Sequence, residues 1–292
     1  MTQERPMITV PAYAKINLTL EVLGKYDDGY HQIASVMQLI DLHDTLSFQP
    51  SQDLRLTCNI PDLCSDDNLV LKAARLLRST TGTERGALID LHKGIPLDSG
   101  LGGGSSDAAA TLKALNELWG TSQTMDQLRG LSCKLGSDVT FFLDGATALA
   151  TGRGEIVTPV TPPPRSWAVL LKPAINVSQK TRRMYAHLEQ RHWTSGLHTQ
   201  RMIESFESGE CIPLPLCYNV FEEVAFSFFA GLDRCRCVFY DSGAPAVHLA
   251  GSGPTLYTLV PTRAEAEAIM SRLQGEVYLA QTLQGQTEWH QE

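Results

Sequence analysis

A glycine-rich loop between a predicted strand and a predicted helix is the feature that most constrains the fold of this chain. The segment PLDSGLGGGSSDAAA (96–110) follows the predicted strand ALIDLHKGIP (87–96) and leads into a helix that we expect to stop at Gly120. Glycine has no Cβ, so the loop can take positive φ angles and approach a ligand closely. A helix N-terminus adds free N–H groups and the positive end of the helix dipole. The loop therefore predicts a binding site for a polyphosphate.

The residues around the glycines narrow the type of loop. Ser105, Ser106 and Asp107 are typical N-cap residues, so we expect their oxygens to cap the helix. No lysine follows the glycines as a P-loop requires, and their spacing does not fit the dinucleotide fingerprint. The protein-kinase signatures H-R-D and D-F-G are absent from the sequence. A flexible linker or a simple capped turn is the alternative, but four glycines within residues 100–104 argue against it.

Composition excludes several classes of protein. The chain has 292 residues, of which 43% are hydrophobic, which is enough for two domains with a large core. Its 24 Lys and Arg against 32 Asp and Glu give a net charge of −8, which argues against nucleic acid as a partner. No stretch reaches the roughly 20 apolar residues of a membrane span, and the N-terminus has no signal-peptide pattern. We therefore expect a cytoplasmic protein that binds neither nucleic acid nor a membrane.

The seven cysteines form no metal-binding or redox motif, since none of them lies in a C-x-x-C pair. We expect reduced thiols, as in cytosolic proteins. Cys235 and Cys237 alternate with other residues in RCRCVFY (234–240), which predicts a strand with both cysteines on one face.

The order of the predicted elements indicates an α+β fold, because strands and helices do not alternate in a regular βαβ series. Three consecutive prolines at 162–164 can continue neither a helix nor a central strand. We therefore expect two domains, one spanning residues 1–160 and the other residues 161–292.

Four segments of the chain resemble the sequence motifs of the GHMP kinases, the superfamily of galactokinase, homoserine kinase, mevalonate kinase and phosphomevalonate kinase. Pro96–Ala109 is similar to the ATP-binding motif, and residues 11–31 are similar to the N-terminal motif. Residues 136–155 resemble the segment that carries the catalytic acid, and residues 249–260 resemble the C-terminal glycine motif. The resemblance implies a ribosomal-protein-like N-terminal domain and a ferredoxin-like C-terminal α/β sandwich, with the active site between them.

The same resemblance implies that ATP donates a phosphoryl group with the help of Mg²⁺, and that residues 96–106 surround the ATP phosphates. Asn68 would lie near the adenine and Lys93 near the nucleotide. The alternatives are that Asn68, or its neighbour Asp67, only caps the predicted helix NLVLKAARLLRSTTG (68–82), and that Lys93 is a solvated charge. No carboxylate is an obvious Mg²⁺ ligand, so we expect ATP and water to carry most of the coordination. The predicted ATP-binding residues are Asn68, Lys93, Pro96, Leu97, Asp98, Ser99, Gly100, Leu101, Gly102, Gly103, Gly104, Ser105 and Ser106.

Lys15 and Asp138 match the catalytic pair of the superfamily. Apolar and polar residues alternate over residues 14–22, which predicts a strand in which an unpaired ammonium group would be costly to bury. Lys15 therefore needs an anion, either Asp138 or a phosphate. The resemblance implies that Asp138 orients the acceptor hydroxyl and accepts its proton, while Lys15 offsets charge on the transferring phosphoryl group. The alternative for Asp138, which directly precedes an apolar run, is a helix cap.

The A-K-I-N and D-G-Y-H motifs resemble those of one GHMP kinase in particular, which phosphorylates the 2-hydroxyl of a cytidine diphosphate-linked methylerythritol. By this resemblance, aromatic rings would stack on the cytosine and a histidine would bind its edge. Core packing is the alternative for the two tyrosines concerned, and a hydrogen bond within a strand is the alternative for the asparagine. The predicted acceptor-binding residues are Asn17, Tyr30, His31, Thr181 and Tyr185.

Two residues depart from the superfamily pattern. Thr140 stands where proline is common, and Asp98 adds a negative charge to residues 96–106, which we call the phosphate loop.

The competing hypotheses are a GHMP kinase of homoserine or mevalonate type, a non-catalytic nucleotide-binding protein of the same fold, and an RNA-binding protein. The A-K-I-N and D-G-Y-H motifs argue against the first, the presence of both Lys15 and Asp138 against the second, and the net charge against the third. We expect a monomer or a weak homodimer.

Overall fold

The computed structural model describes residues 7–175, 177 and 179–285, which form two β-sheets with helices packed on them. The α+β fold expected from the sequence is confirmed. Within the described residues, no helix is both long and apolar enough to cross a membrane. The strands are β1 (Ile8–Asn17), β2 (Thr19–Lys25), β3 (His31–Ser51), β4 (Leu54–Cys58), β5 (Gly86–His92), β6 (Thr147–Gly152), β7 (Ile156–Pro159), β8 (Trp167–Lys172), β9 (Tyr218–Asn219), β10 (His248–Leu249), β11 (Leu256–Val260) and β12 (Glu276–Gln281). The helices are α1 (Leu69–Thr81), α2 (Gly103–Trp119), α3 (Met125–Ser132), α4 (Val139–Asp144), α5 (Lys180–Ala186), α6 (Leu197–Glu207), α7 (Glu222–Phe228), α8 (Leu232–Asp241) and α9 (Arg263–Met270).

The first sheet is organised around the long strand β3, which pairs antiparallel with β1, β2, β5 and β6. The strand predicted over residues 14–22 proves to be two strands, because β1 ends at Asn17 and β2 begins at Thr19. The register between β1 and β3 shifts after Tyr13, and all four residues from 14 to 17 are buried. This irregularity carries the polar side chains of Lys15 and Asn17 into the interior of the protein.

The second sheet has the order β10-β11-β8-β12, and all its pairings are antiparallel. Two short segments from this half of the chain also pair with the first sheet. Strand β9 runs parallel to β2, and Thr282 forms a bridge with Ile40 of β3. The two sheets are therefore joined by backbone hydrogen bonds as well as by the connecting chain. The domain division near residue 160 stays a prediction.

Helix α1 confirms the helix predicted over residues 68–82. The side-chain oxygen of Asn68 accepts a hydrogen bond from the Val70 N–H, so Asn68 and not Asp67 is the N-cap. Gly82 ends the helix in the left-handed conformation.

Helix α2 begins earlier than the sequence suggested. Its N-cap is Gly102, which has φ 77° and makes no side-chain capping hydrogen bond. The prediction that Ser105, Ser106 and Asp107 cap this helix is wrong, because Gly103 and Gly104 already form its first turn. The Asp107 carboxylate is instead paired with Lys93.

The strand predicted for RCRCVFY is also wrong, because these residues lie in helix α8. Leu232 and Phe239 are its buried residues, and their spacing of seven places them on one face of a helix. Cys235 and Cys237 are two residues apart, so they point to different sides. The alternation of cysteine and arginine resembles the sequence pattern of a strand, but the apolar residues on either side of it follow the period of a helix. All seven cysteines are free thiols.

Candidate active site

A cavity of about 850 Å³ lies between the phosphate loop, the end of β1, the residues before α4 and the start of α5. Most of the predicted site residues line it. Four do not. Leu101 is buried in the core, Ser106 lines a separate small pocket, and neither Tyr30 nor His31 lines the cavity. The predicted residues that line the cavity are Lys15, Asn17, Asn68, Lys93, Pro96, Leu97, Asp98, Ser99, Gly100, Gly102, Gly103, Gly104, Ser105, Asp138, Thr181 and Tyr185.

The phosphate loop takes its shape from backbone conformations that favour glycine. Gly100 has φ 86° and Gly102 has φ 77°, and Asp98 adopts a positive φ of 51° without being glycine. The first helical hydrogen bond runs from the Ser106 N–H to the Gly102 carbonyl. Helix formation therefore does not use the N–H groups of residues 103–105. These groups can bind an anion at the N-terminus of α2.

Lys15 and Asp138 lie together at one side of this cavity. The Lys15 Nζ is 3.5 Å from Asp138 Oδ2, and the side chains are 5% and 36% exposed, respectively. Asp138 occupies the N-cap position of α4 but makes no side-chain capping hydrogen bond. The alternative that Asp138 only caps the helix is therefore wrong, and the carboxylate is available to a ligand in the cavity.

Asn17 determines where the Lys15 ammonium group sits. The Lys15 Nζ donates a hydrogen bond of 2.6 Å to Asn17 Oδ1, and Asn17 Nδ2 donates to the Ser35 hydroxyl at 2.8 Å. The Ser35 hydroxyl donates in turn to the Thr19 carbonyl. Because this chain of hydrogen bonds ends on the backbone of β2, the ammonium group is held in one place.

Lys93 belongs to a buried cluster of charges beneath the start of α2. Its Nζ is paired with Asp44 Oδ2 and, at 2.7 Å, with Asp107 Oδ2, and all three side chains are almost fully buried. The alternative that Lys93 is a solvated charge is therefore wrong. Burial and the nearby charge of Asp44 raise the pKa of the Asp107 carboxyl, although Lys93 acts in the opposite direction. Two carboxyl groups share one ammonium group here, and the raised pKa indicates that Asp107 keeps its proton more readily than an exposed carboxyl.

Asn68 has two functions available to it. Besides capping α1, its Nδ2 donates a hydrogen bond to the Leu63 carbonyl at 2.8 Å. Asn68 and Leu63 both line the cavity. The structure therefore supports the N-cap interpretation and also places Asn68 in the wall of the cavity.

Of the predicted acceptor-binding residues, Asn17, Thr181 and Tyr185 line the cavity, and His31 contacts one of them. The rings of His31 and Tyr185 are stacked, with centroids 4.9 Å apart and planes inclined by 19°. Burial, with a smaller contribution from Lys25, lowers the pKa of His31, so that one ring nitrogen can accept and the other donate a hydrogen bond. The Thr181 hydroxyl is hydrogen-bonded to that of Ser252 at 2.9 Å.

Tyr30 is not a core residue, since 58% of it is exposed. The guanidinium of Arg153 lies 4.3 Å from the centroid of its ring, and Arg153 also pairs with Asp28. Arg153 lines the cavity and thereby connects Tyr30 to its edge.

Lys180 and Arg153 are among the cavity residues that sequence reasoning did not find. Lys180 donates hydrogen bonds to two backbone carbonyls, and Arg153 packs on Tyr30. Arg153 lies between two glycines in a turn inside the segment that resembles the catalytic motif, which was the one available signal. No sequence pattern marks Lys180, because its partners are main-chain atoms far along the chain.

The residues present fit ATP better than they fit a protein-bound metal ion. The free N–H groups at the start of α2, with Lys15 nearby, suit a polyphosphate. Among the described residues, no group of three or more His, Cys, Asp or Glu side chains could hold a metal ion. Asp98, Asp138 and the hydroxyl of Ser105 are among the cavity groups that could contribute a ligand to an ion carried by the nucleotide.

Comparisons with protein families agree with this geometry. The family described as "GHMP kinases N terminal domain" matches residues 68–146, and "GHMP kinases C terminal" matches residues 202–279. The first match contains the phosphate loop and Asp138, and the second contains the turn at residues 250–253.

Individual relatives cover nearly the whole chain. A protein of Dehalococcoides mccartyi named 4-diphosphocytidyl-2-C-methyl-D-erythritol kinase is 43% identical over 281 residues, which are 95% of this chain and 99% of the relative. A protein of the same name from Geobacillus kaustophilus is 40% identical, over 92% of this chain and 93% of its own. The crystal structure of a 4-(cytidine 5'-diphospho)-2C-methyl-D-erythritol kinase superposes with a TM-score of 0.79 at 31% identity, covering 94% of this chain and 99% of that one.

Proposed function

The chain belongs to the GHMP kinase family, and from this membership we propose that it transfers a phosphoryl group from ATP to the 2-hydroxyl of 4-diphosphocytidyl-2-C-methyl-D-erythritol. The products are the 2-phosphate and ADP, and the step belongs to the non-mevalonate route to isopentenyl diphosphate. The relatives that cover almost the whole chain carry the name of this kinase. We propose that its partners are small molecules and that it acts in the cytoplasm.

The observation that carries the proposal is the position of the Lys15–Asp138 pair in the same cavity as the phosphate loop. A kinase must bring a phosphoryl donor and an acceptor hydroxyl together, in line and away from bulk water. A loop of main-chain N–H donors can hold the donor, while a half-exposed carboxylate can hold the hydroxyl. A protein that only bound a nucleotide would need the loop and not the pair.

Each side chain of the pair has a distinct role. Asp138 accepts a hydrogen bond from the 2-hydroxyl and orients its oxygen toward the γ-phosphorus of ATP. In a loose phosphoryl-transfer transition state the hydroxyl loses its proton late, so Asp138 accepts that proton as the O–P bond forms. Lys15, fixed by Asn17, offsets negative charge on the transferring group. A bound Mg²⁺ would neutralise charge on the phosphates, and Asp98 and Ser105 of the phosphate loop, which line the cavity, could help hold it.

The stacked rings of His31 and Tyr185, together with exposed Tyr30, form the binding site for the cytosine end of the acceptor. Base stacking on an aromatic ring contributes about 1–3 kcal/mol in single-stranded nucleic acid complexes. The neutral imidazole of His31 can both donate to and accept from the pyrimidine edge.

The test is an ADP-release assay of the purified protein with three acceptors, namely 4-diphosphocytidyl-2-C-methyl-D-erythritol, homoserine and mevalonate. We expect turnover with the first and background rates with the other two. Faster turnover of homoserine or mevalonate would assign the chain to another branch of the family. Nucleotide binding without turnover of any of the three would indicate a non-catalytic relative.

A further inference from the structure

Lys180 connects the phosphate loop to the turn between β10 and β11 at residues 250–253, which we call the glycine turn. Its Nζ donates a hydrogen bond of 2.8 Å to the Asp98 carbonyl and another to the Gly253 carbonyl. Asp98 belongs to the phosphate loop, whereas Gly253 lies in the turn between β10 and β11. Lys180 itself is the first residue of α5 and is only 9% exposed. One ammonium group therefore joins three segments that are distant in the sequence.

On this side the backbone of Gly100 in the phosphate loop also packs closely against that of Ala250. The Thr255 N–H donates to the Ser99 carbonyl at a long 3.4 Å. Asp98 has a positive φ of 51°, which a residue with a Cβ adopts only at some cost. A conformation of this kind persists when surrounding contacts hold it, and the bond from Lys180 to the Asp98 carbonyl is such a contact.

Burial of the Lys180 ammonium group costs free energy that a purely structural contact would not require. Burial, together with the positive charges of Lys15 and Lys172, lowers the pKa of Lys180 to about 8, although Asp98 acts in the opposite direction. An apolar side chain at the start of α5 would avoid this cost. The ammonium group also has a third N–H, and Lys180 lines the cavity.

We propose that Lys180 is a positioning residue for phosphoryl transfer, which holds the phosphate loop against the glycine turn so that its N–H groups are aligned for the ATP phosphates. The inference rests on the proposed function in so far as the loop binds ATP. Thr181 and Tyr185 lie on the same helix as Lys180, but the Tyr185 ring is also held by its contacts with His31 and Phe221. Loss of the ammonium group should therefore weaken ATP binding much more than acceptor binding.

The experiment compares Lys180→Met, Lys180→Arg and the unaltered protein, with Lys134→Met as a control at an exposed lysine outside the cavity. Two measurements are made: amide hydrogen exchange of residues 97–102 without any ligand, and KM for ATP and for the acceptor. For Lys180→Met we expect loop exchange and the KM for ATP to rise about tenfold or more, as for the loss of hydrogen bonds to a charged group. The KM for the acceptor should stay within about twofold, and Lys180→Arg, which keeps charge and donors, should restore part of the effect.

Unchanged loop exchange in Lys180→Met would overturn the proposal, as would an increase in the acceptor KM as large as that in the ATP KM. If Lys180→Met does not fold, Lys180→Gln keeps a single donor group and is measured in the same way. Failure of the proposed function is distinguishable, because the unaltered protein would then be inactive with the acceptor. The exchange measurement would still report on Lys180 in that case.

Discussion

Lys15 is buried within a strand, and its neighbours determine what its ammonium group can do. Asn17 accepts a hydrogen bond from it, and Asp138 balances its charge at 3.5 Å. The need for an anion could be predicted, because a buried ammonium group without one is costly. The role of Asn17 could not be predicted, since it depends on the irregularity in β1 that turns residues 14–17 inward.

Replacement of the carboxylate tests the catalytic pair. Asp138→Asn keeps the shape of the side chain but cannot accept the proton of the hydroxyl. We expect kcat to fall by about 10²–10⁴-fold, the usual contribution of a positioned general base, while the Kd for ATP stays within about threefold. Single-turnover kinetics and ATP titration measure the two values. The exposed Asp126→Asn serves as control, and near-normal turnover of Asp138→Asn would remove Asp138 from the mechanism.

The aromatic residues give a second test at this scale. Tyr30→Ala and Tyr185→Ala should each raise the KM for the acceptor by about tenfold or more and leave the KM for ATP unchanged. Tyr30 is exposed, so its replacement leaves the core intact, whereas Tyr185 also packs edge-on against Phe221. Tyr185→Phe keeps the ring and is the matched control. An unchanged acceptor KM in both alanine variants would rule out stacking.

The conformation of the phosphate loop is restricted by the backbone of the glycine turn that packs against it. A Cβ on Gly100 would overlap the carbonyl oxygen of Ala250 and lie 3.0 Å from that of Gly253. A Cβ on Gly251 would lie 2.8 Å from the Gly100 carbonyl oxygen and 3.4 Å from the Lys15 Nζ. The two glycine segments therefore pack backbone against backbone beside the catalytic lysine.

This close packing makes Gly100 more sensitive than a glycine that only needs a positive φ. Gly100→Ala should abolish ATP binding and lower the free energy of unfolding by several kcal/mol, because the carbonyls around it belong to backbone that must move. Gly82 has φ 69° with nothing within 4 Å of a Cβ, so Gly82→Ala should cost only about 1–2 kcal/mol. Denaturant unfolding and ATP titration compare them. Equal costs for both variants would show that conformation alone, and not packing, requires Gly100.

Elements whose patterns are local were predictable, and those decided by distant contacts were not. Helix α1 carries its own cap and end signals in Asn68 and Gly82, and the glycine loop preceding α2 is a local motif. Helix α8 was missed because its cysteines and arginines alternate, while its two buried residues are seven positions apart. Lys180 was missed because its hydrogen-bond partners lie 82 and 73 residues away and are main-chain carbonyls that every residue possesses.

For the whole molecule, the buried Asp44–Lys93–Asp107 cluster links stability to pH. The pKa of Asp107 is raised in the folded protein, chiefly by burial, so the folded protein keeps a proton that the unfolded chain has already released. The folded state binds more protons than the unfolded state between the ordinary pKa near 4 and the raised value. This contribution to stability is therefore complete at low pH and is lost as the pH rises through that window.

Asp107→Asn removes the titration while keeping an oxygen for Lys93. We expect the Tm of the unaltered protein to fall relative to that of the variant as the pH rises from 5 to 8, by roughly 2–4 °C for each kcal/mol of linked free energy. Thermal unfolding across this range measures the difference, with the exposed Asp62→Asn as control. Parallel Tm curves for the unaltered protein and Asp107→Asn would show that Asp107 is ionised throughout.

The pairing of β9 with β2, and of the segment around Thr282 with β3, has a consequence for how the protein is made. Residues 7–160 are synthesised before residues 218–219 and 282–283, so two stretches of backbone in their sheet stay unpaired until those residues have been made. Unpaired edges promote association with other chains. The nascent enzyme therefore reaches a protected state only after residue 283 has been made, and we expect chaperones to bind it mainly before then.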